Sequence, residues 1–200
     1  MAPLNRSRRI SLVALFTTLA LVLNLLVSVP APYAGFLFYE IWEIPILLSV
    51  FLLGFWSGVT VAALNTFVLE ALKPGPLPSG PFYNFIAEVS MFLGVVLVLS
   101  FSRRRGWSSA AVAGASTAVG LGTRTAVMTV VNAIVLPLPY PLGFGPFVTA
   151  SQVPWYLVLI GVFNATTALY TVPIAYSVSR TVLRRYGRVF GTLAPAGPVS

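Results

Sequence analysis

The sequence predicts an all-α membrane protein: a bundle of six transmembrane helices with N-terminus and C-terminus both on the cytoplasmic side. Three observations predict it. Hydrophobic residues fill 58% of the 200 positions and charged residues only 8%, whereas a soluble domain spends about a quarter of its residues on charge. Six apolar runs approach the roughly 20 residues needed to cross about 30 Å of hydrocarbon. Ten of the twelve Lys and Arg residues lie in three short clusters between those runs. In a soluble chain the net charge of +8 would point to nucleic acid; confined to such clusters it reads as a topology signal, and no nucleic-acid partner is expected.

The elements follow in order. The first run, residues 10–29, is longer than the roughly 7–15-residue core of a secretory signal, and no small-x-small cleavage site precedes Pro30. It is therefore expected to stay as a helix. The second run covers 36–53, and after a tight turn at 54–58 the third covers 55–72. The fourth, 82–101, leads into a basic linker at 102–109. The fifth is the long run 109–136, and the sixth is 153–179, where Pro173 is expected to kink the helix. Together they make a single membrane domain over 1–200, with cytoplasmic tails at 1–9 and 186–200.

Orientation comes from the arginines, because cytoplasmic ends hold the excess of Lys and Arg. Arg6, Arg8 and Arg9 precede the first helix, Arg103, Arg104 and Arg105 follow the fourth, and Arg180, Arg184, Arg185 and Arg188 follow the sixth. The opposite side receives only Lys73. Ten of the sixteen prolines fall in the three external connections, where proline either ends helices or stiffens the loops into lids over an outward-facing pocket.

Ionisable groups inside the membrane are the best pointers to function, since each costs about 2.5–3.5 kcal/mol at a helix centre. Glu40, Glu43, Glu70 and Glu88 all fall in the outer half. Glu43 stands just before Pro45 and reads as a capping group near the start of the second helix, with Glu40 in the loop before it. Arg124 in the fifth helix and Glu88 in the fourth lie at matching depths; they read either as a structural ion pair or as charges that orient a ligand. Asn65, Asn84, Asn132 and Asn164 each offer a carboxamide to a flat heterocycle or to a neighbouring helix. Trp42, Tyr83, Trp155 and Tyr156 fit an interfacial aromatic belt. The stripe Ala110, Gly114, Ala118 and Gly122 is expected inside the bundle, and the pair Ala14 and Thr18 on helix 1 is expected to meet another subunit.

Whole classes of chemistry drop out. The chain has no Cys, His or Asp, which removes the common metal sites, redox thiols, His-based triads and Asp-dependent intramembrane proteases. With Lys73 in a Leu-Lys-Pro context there is no P-loop. No enzyme activity, metal or cofactor is expected, and an energised role requires a partner or an ion gradient.

Four segments resemble one family. Glu43-Ile-Pro45 with the apolar run to Gly54, Gly80-Pro-Phe-Tyr-Asn84-Phe85, Met128-Thr-Val-Val-Asn132 with Leu136-Pro137, and Val162-Phe-Asn164 are similar to segments of the substrate-binding S components of energy-coupling factor (ECF) vitamin transporters, closest to the riboflavin-specific branch. The resemblance implies a pocket near the extracellular side and a helix 1 face at Ala14 and Thr18 that docks a transmembrane coupling subunit. It also implies two partner ATPases and a vitamin-like ligand, riboflavin leading. Asn84, Glu88, Arg124, Asn132, Asn164 and Thr167 are the expected ligand contacts. Thr167 stands where the riboflavin branch carries Lys, and Arg124 has no counterpart there. The rival readings are an S component for another vitamin or nucleobase-like ligand, and a membrane scaffold that transports nothing.

Overall fold

The computed structural model describes residues 6–72, 77–145 and 148–190, the side chains of 188–190 excepted. Lys73, Pro74, Pro76, Pro146 and the side chain of Arg188 lie outside the described residues, as do most of the expected tails. The described chain forms six helices and one hairpin: α1 (Arg6–Leu26), β1 (Ser28–Ala31), β2 (Ala34–Glu40), α2 (Glu43–Leu53), α3 (Phe55–Leu72), α4 (Gly80–Arg105), α5 (Ser109–Val135) and α6 (Val153–Phe190). Five of the helices are long and apolar enough to cross a membrane, and the chain is a multi-pass membrane protein.

The sixth is the main departure from expectation. The apolar run at 36–53 divides into a strand and an 11-residue helix that rises only about 16 Å. Gly35-Phe-Leu-Phe-Tyr39 is rich in aromatics, which fit a pleated surface, and it pairs antiparallel with β1 from Ser28↔Glu40 to Ala31↔Ala34. That pairing also takes Ser28 and Val29 from the end of the first predicted helix.

Although short, α2 is the centre of the molecule. Every residue in it except Ile44 is buried, as a helix that is apolar on all sides must be. It lies against α1, α3 and α6, while α5 packs between α4 and α6. Gly54, at φ 91°, caps α2 and donates to the Val50 carbonyl, reversing the chain into α3 at once. Ile46, Leu47, Phe92, Met91 and Val172 form part of the core around it.

Two further expectations are corrected. The stripe Ala110, Gly114, Ala118 and Gly122 faces outward; α5 instead buries Val112, Ser116, Gly120, Arg124 and Met128. The two rows are about 200° apart on the helix, and the one carrying Arg124 turns inward because lipid offers a guanidinium no partner. A methyl group at Gly114 or Gly122 meets nothing within 4 Å, so Gly122→Ala is expected to raise stability by about 0.5–1 kcal/mol, read as a higher thermal midpoint. Second, helical dihedrals continue through Pro173, and the break in α6 comes at Tyr186, with φ −127° and ψ 20°. The segments expected as tails are helical in part: Arg6, Arg8 and Arg9 open α1, and α6 runs on to Phe190.

The arginine clusters end up at one end of the bundle, where Arg9 Nε donates to Ser57 Oγ at 2.9 Å and ties α1 to the start of α3. The hairpin and the connections after α3 and α5 gather at the other. There Ser79 Oγ donates to the Pro141 carbonyl at 2.8 Å and Tyr83 to the Leu142 carbonyl at 2.6 Å, which holds the two connections together.

Candidate functional site

A cleft with about 250 Å³ of empty space, its open mouth included, lies under the hairpin. Two short sequence periods build it. At the end of β2, Phe38 and Glu40, two apart on the strand, line one wall, and Trp42 in the turn before α2 continues it. From α6, positions three and four apart line the other: Phe163, Thr167 and Tyr170, one stripe of a helix. Asn84 of α4 and Glu43 at the start of α2 complete it.

Hydrogen bonds fix the walls. Trp42 Nε1 donates to Glu40 Oε2 at 2.6 Å, and the Tyr170 hydroxyl donates to the Glu40 carbonyl at 2.6 Å. Thr167 donates to the Phe163 carbonyl one turn back at 2.9 Å. Tyr39, on the hairpin, stands with its ring 5.1 Å from Phe163 and 6.4 Å from Tyr170, so the strand is clamped to α6 by aromatic contact. The hydroxyls of Tyr33 and Tyr39 are hydrogen-bonded to each other near the turn.

Behind the cleft lies a buried charge cluster. Arg124 makes a two-pronged ion pair with Glu43, through Nη1 to Oε2 and through Nη2 to Oε1 at 2.8 Å. Its Nε donates to Asn164 Oδ1 at 2.9 Å, and Asn164 Nδ2 donates in turn to the Ile160 carbonyl at 2.9 Å. One guanidinium therefore joins α2, α5 and α6. Arg124 is 1% exposed and Glu43 6%, and at that burial a planar fork matched to a carboxylate is the arrangement that offsets desolvation best.

The expected Arg124–Glu88 pair is thus replaced by Arg124–Glu43. Depth along α4 and α5 could not reveal this partner, because α2 reaches the same depth from the opposite wall. Glu43 is the first residue of α2 with its carboxylate spent on Arg124, and the preceding Trp42 makes no side-chain cap. Glu88 lies within electrostatic range of both and is 1% exposed, with Oε1 unpartnered.

Of the six expected ligand contacts, Asn84 and Thr167 line the cleft. Arg124, Asn164 and Glu88 are buried behind it, and Asn132 is half-buried with Nδ2 donating to the Met128 carbonyl at 2.7 Å. The four aromatic residues of the walls were not singled out from the sequence as ligand contacts. The spacing Phe38, Glu40, Trp42 was the available signal, hidden because the run read as helix. On α1, Ala14 and Thr18 are both exposed on the outer surface, beside Leu15 and Leu19.

No family model matches this sequence, and no curated protein matches it. A solved structure described as the S component of a bacterial ECF transporter is similar in fold, with a TM-score of 0.66 over 92% of this chain and 98% of that one, at 19% identity. The chain therefore has the fold of an S component.

Proposed function

We propose that this chain is the substrate-binding subunit of an ECF-type uptake transporter in a prokaryotic cell membrane. It spans the membrane with six segments, α2 together with the hairpin forming the second. The arginine clusters and both termini face the cytoplasm, and the cleft opens outward. The observation that carries the reading is the position of the cleft: polar and aromatic groups converge under a hairpin at the end of the bundle remote from the arginines. A scaffold held together by polar glue has no need of such a recess. Energy comes from two ATPases through a transmembrane coupling subunit, which docks on the exposed α1 face at Ala14 and Thr18, where small side chains admit a close helix.

The ligand is a vitamin-like flat heterocycle. Riboflavin is the one the resemblance implies, while Thr167 and the commitment of Arg124 to Glu43 favour a related heterocycle over riboflavin itself. The experiment pairs binding with uptake. Asn84→Ala in the purified protein is expected to weaken ligand binding by about threefold to tenfold, the net value of one hydrogen bond, read by titration. Ala14→Leu is expected to leave that binding intact and abolish uptake in cells that supply the partner subunits. Wild-type binding in Asn84→Ala and wild-type uptake in Ala14→Leu would together leave the scaffold as the better description.

A further inference from the structure

Glu88 is the buried ionisable group that the capture reading leaves without a task. It is 1% exposed, and its Oε1 has no hydrogen-bond partner. The packing of α4 on α5 shows what stands across from it. The position a Cβ would take on Gly120 is 3.5 Å from the Met91 side chain, and the one on Gly94 is 2.9 Å from the Val119 carbonyl oxygen, so two glycines bring these antiparallel helices into close contact. One turn toward the hairpin end leads from Met91 to Glu88 on α4 and from Gly120 to Arg124 on α5, each step staying on its own helix face. The Glu88 carboxyl therefore borders the guanidinium that Glu43 holds, and the charges of Arg124 and Glu43 both act on it.

The two acidic side chains differ in what they can do next. Glu43 starts α2 and lines the cleft, so water reaches its carboxylate when the cleft opens. Glu88 lies behind the cleft and has no such recourse. On the footing that the cleft is the capture site just proposed, release of a captured ligand requires its walls to part. The wall formed by Trp42 and Glu43 is tied to α5 by the two-pronged ion pair. Breaking a buried pair strands a charge, which would hold that wall shut, unless the guanidinium has a second carboxylate beside it. The unpartnered oxygen of Glu88 in turn destabilises the closed arrangement, and pairing with Arg124 would remove that penalty. One guanidinium between two carboxylates is thus a contact with two discrete arrangements, on which a conformational change can turn.

We propose that Glu88 is a second partner for Arg124: when the cleft opens, the guanidinium passes from Glu43 to Glu88, and the α2 wall moves without leaving a buried cation alone.

The test uses isosteric variants of the purified full-length chain in detergent, without ligand. Hydrogen exchange at the backbone amides of the hairpin and the first turn of α2 reports how often that wall opens. In Glu43→Gln the guanidinium rests on Glu88, and these amides are expected to exchange about tenfold faster than in the wild type. In Glu88→Gln the wall opens only by stranding Arg124, and they are expected to exchange about threefold more slowly. Thermal unfolding reads the coupling. Glu43→Gln is expected to lower the midpoint by about 3 °C, Glu88→Gln by less than about 2 °C, and the two together by about 10 °C or more, because only then does Arg124 lose both carboxylates. Amides that exchange no more slowly in Glu88→Gln than in the wild type, or a double variant whose loss is the sum of the two single losses, would overturn the proposal. If the double variant does not fold, the exchange rates of the single variants decide. Neither readout needs a ligand, so failure of this handover is distinct from failure of the capture site, which the Asn84→Ala titration judges.

Discussion

Arg124→Met is expected to destabilise the protein by about 3–5 kcal/mol, the cost of leaving one partner of a buried ion pair alone. The substitution strands the Glu43 carboxylate inside the bundle and removes the donor to Asn164 Oδ1. Arg124→Lys keeps the charge but loses the two-pronged geometry, so it should recover only part of the loss. The double change Arg124→Met with Glu43→Leu is expected to recover most of it, since apolar replacements of buried ion pairs are often neutral or better. Thermal unfolding in detergent reads all three. A single mutant as stable as the wild type, or a double mutant no better than the single, would show that the pair is not a structural tie.

Gly143→Ala is expected to be severely damaging, with the shortest backbone overlap among the described glycines compared. The added Cβ would overlap the Val135 carbonyl oxygen at the end of α5 and stand 2.7 Å from the Leu138 carbonyl oxygen. Both are backbone atoms, so relief requires the turn itself to move. Leu138 also accepts from the Gly145 amide at 2.8 Å, and the neighbouring Leu142 carbonyl holds Tyr83, so the strain spreads to the start of α4. A loss of about 1–3 kcal/mol or more follows from such overpacking, with ligand binding weakened because Asn84 is the next residue after Tyr83. Gly122→Ala is the control, with open space where Gly143 has none.

Much of this architecture was legible in the chain. Apolar length and the arginine clusters located the long helices, because crossing hydrocarbon leaves little freedom in composition. The second run failed for a physical reason: Phe36-Leu-Phe-Tyr39 is as apolar as any helix, and a fully apolar run has no period to tell a strand from a helix. The phase of α5 was recoverable, since Arg124 shares a row with Gly120 and Ser116 and a charged row cannot face lipid. The partner of Arg124 was not, because Glu43 and Glu88 are the same residue type and only the placement of α2 decides between them. In the cleft, Asn84 stood out as a polar group in an apolar run, and Thr167 only through the resemblance, as the position where the riboflavin branch carries Lys. Phe38, Phe163 and Tyr170 did not, because an aromatic residue in a membrane sequence has too many ordinary uses.

The shortness of α2 has a consequence for how the chain is built in the cell. Eleven residues are too few to be taken up by the translocation machinery as an independent span, for which about 17–25 are needed. Its anchor, Arg124, is synthesised 81 residues after Glu43, and Asn164 follows 40 residues later still. During translation α2 must wait as an unneutralised, half-depth segment until α5 and α6 have entered the bilayer, and it settles only when three distant parts of the chain meet. Settling of α2 then needs the chain through residue 164: nascent chains halted before that residue should expose α2 to protease, and chains extended through α6 should protect it.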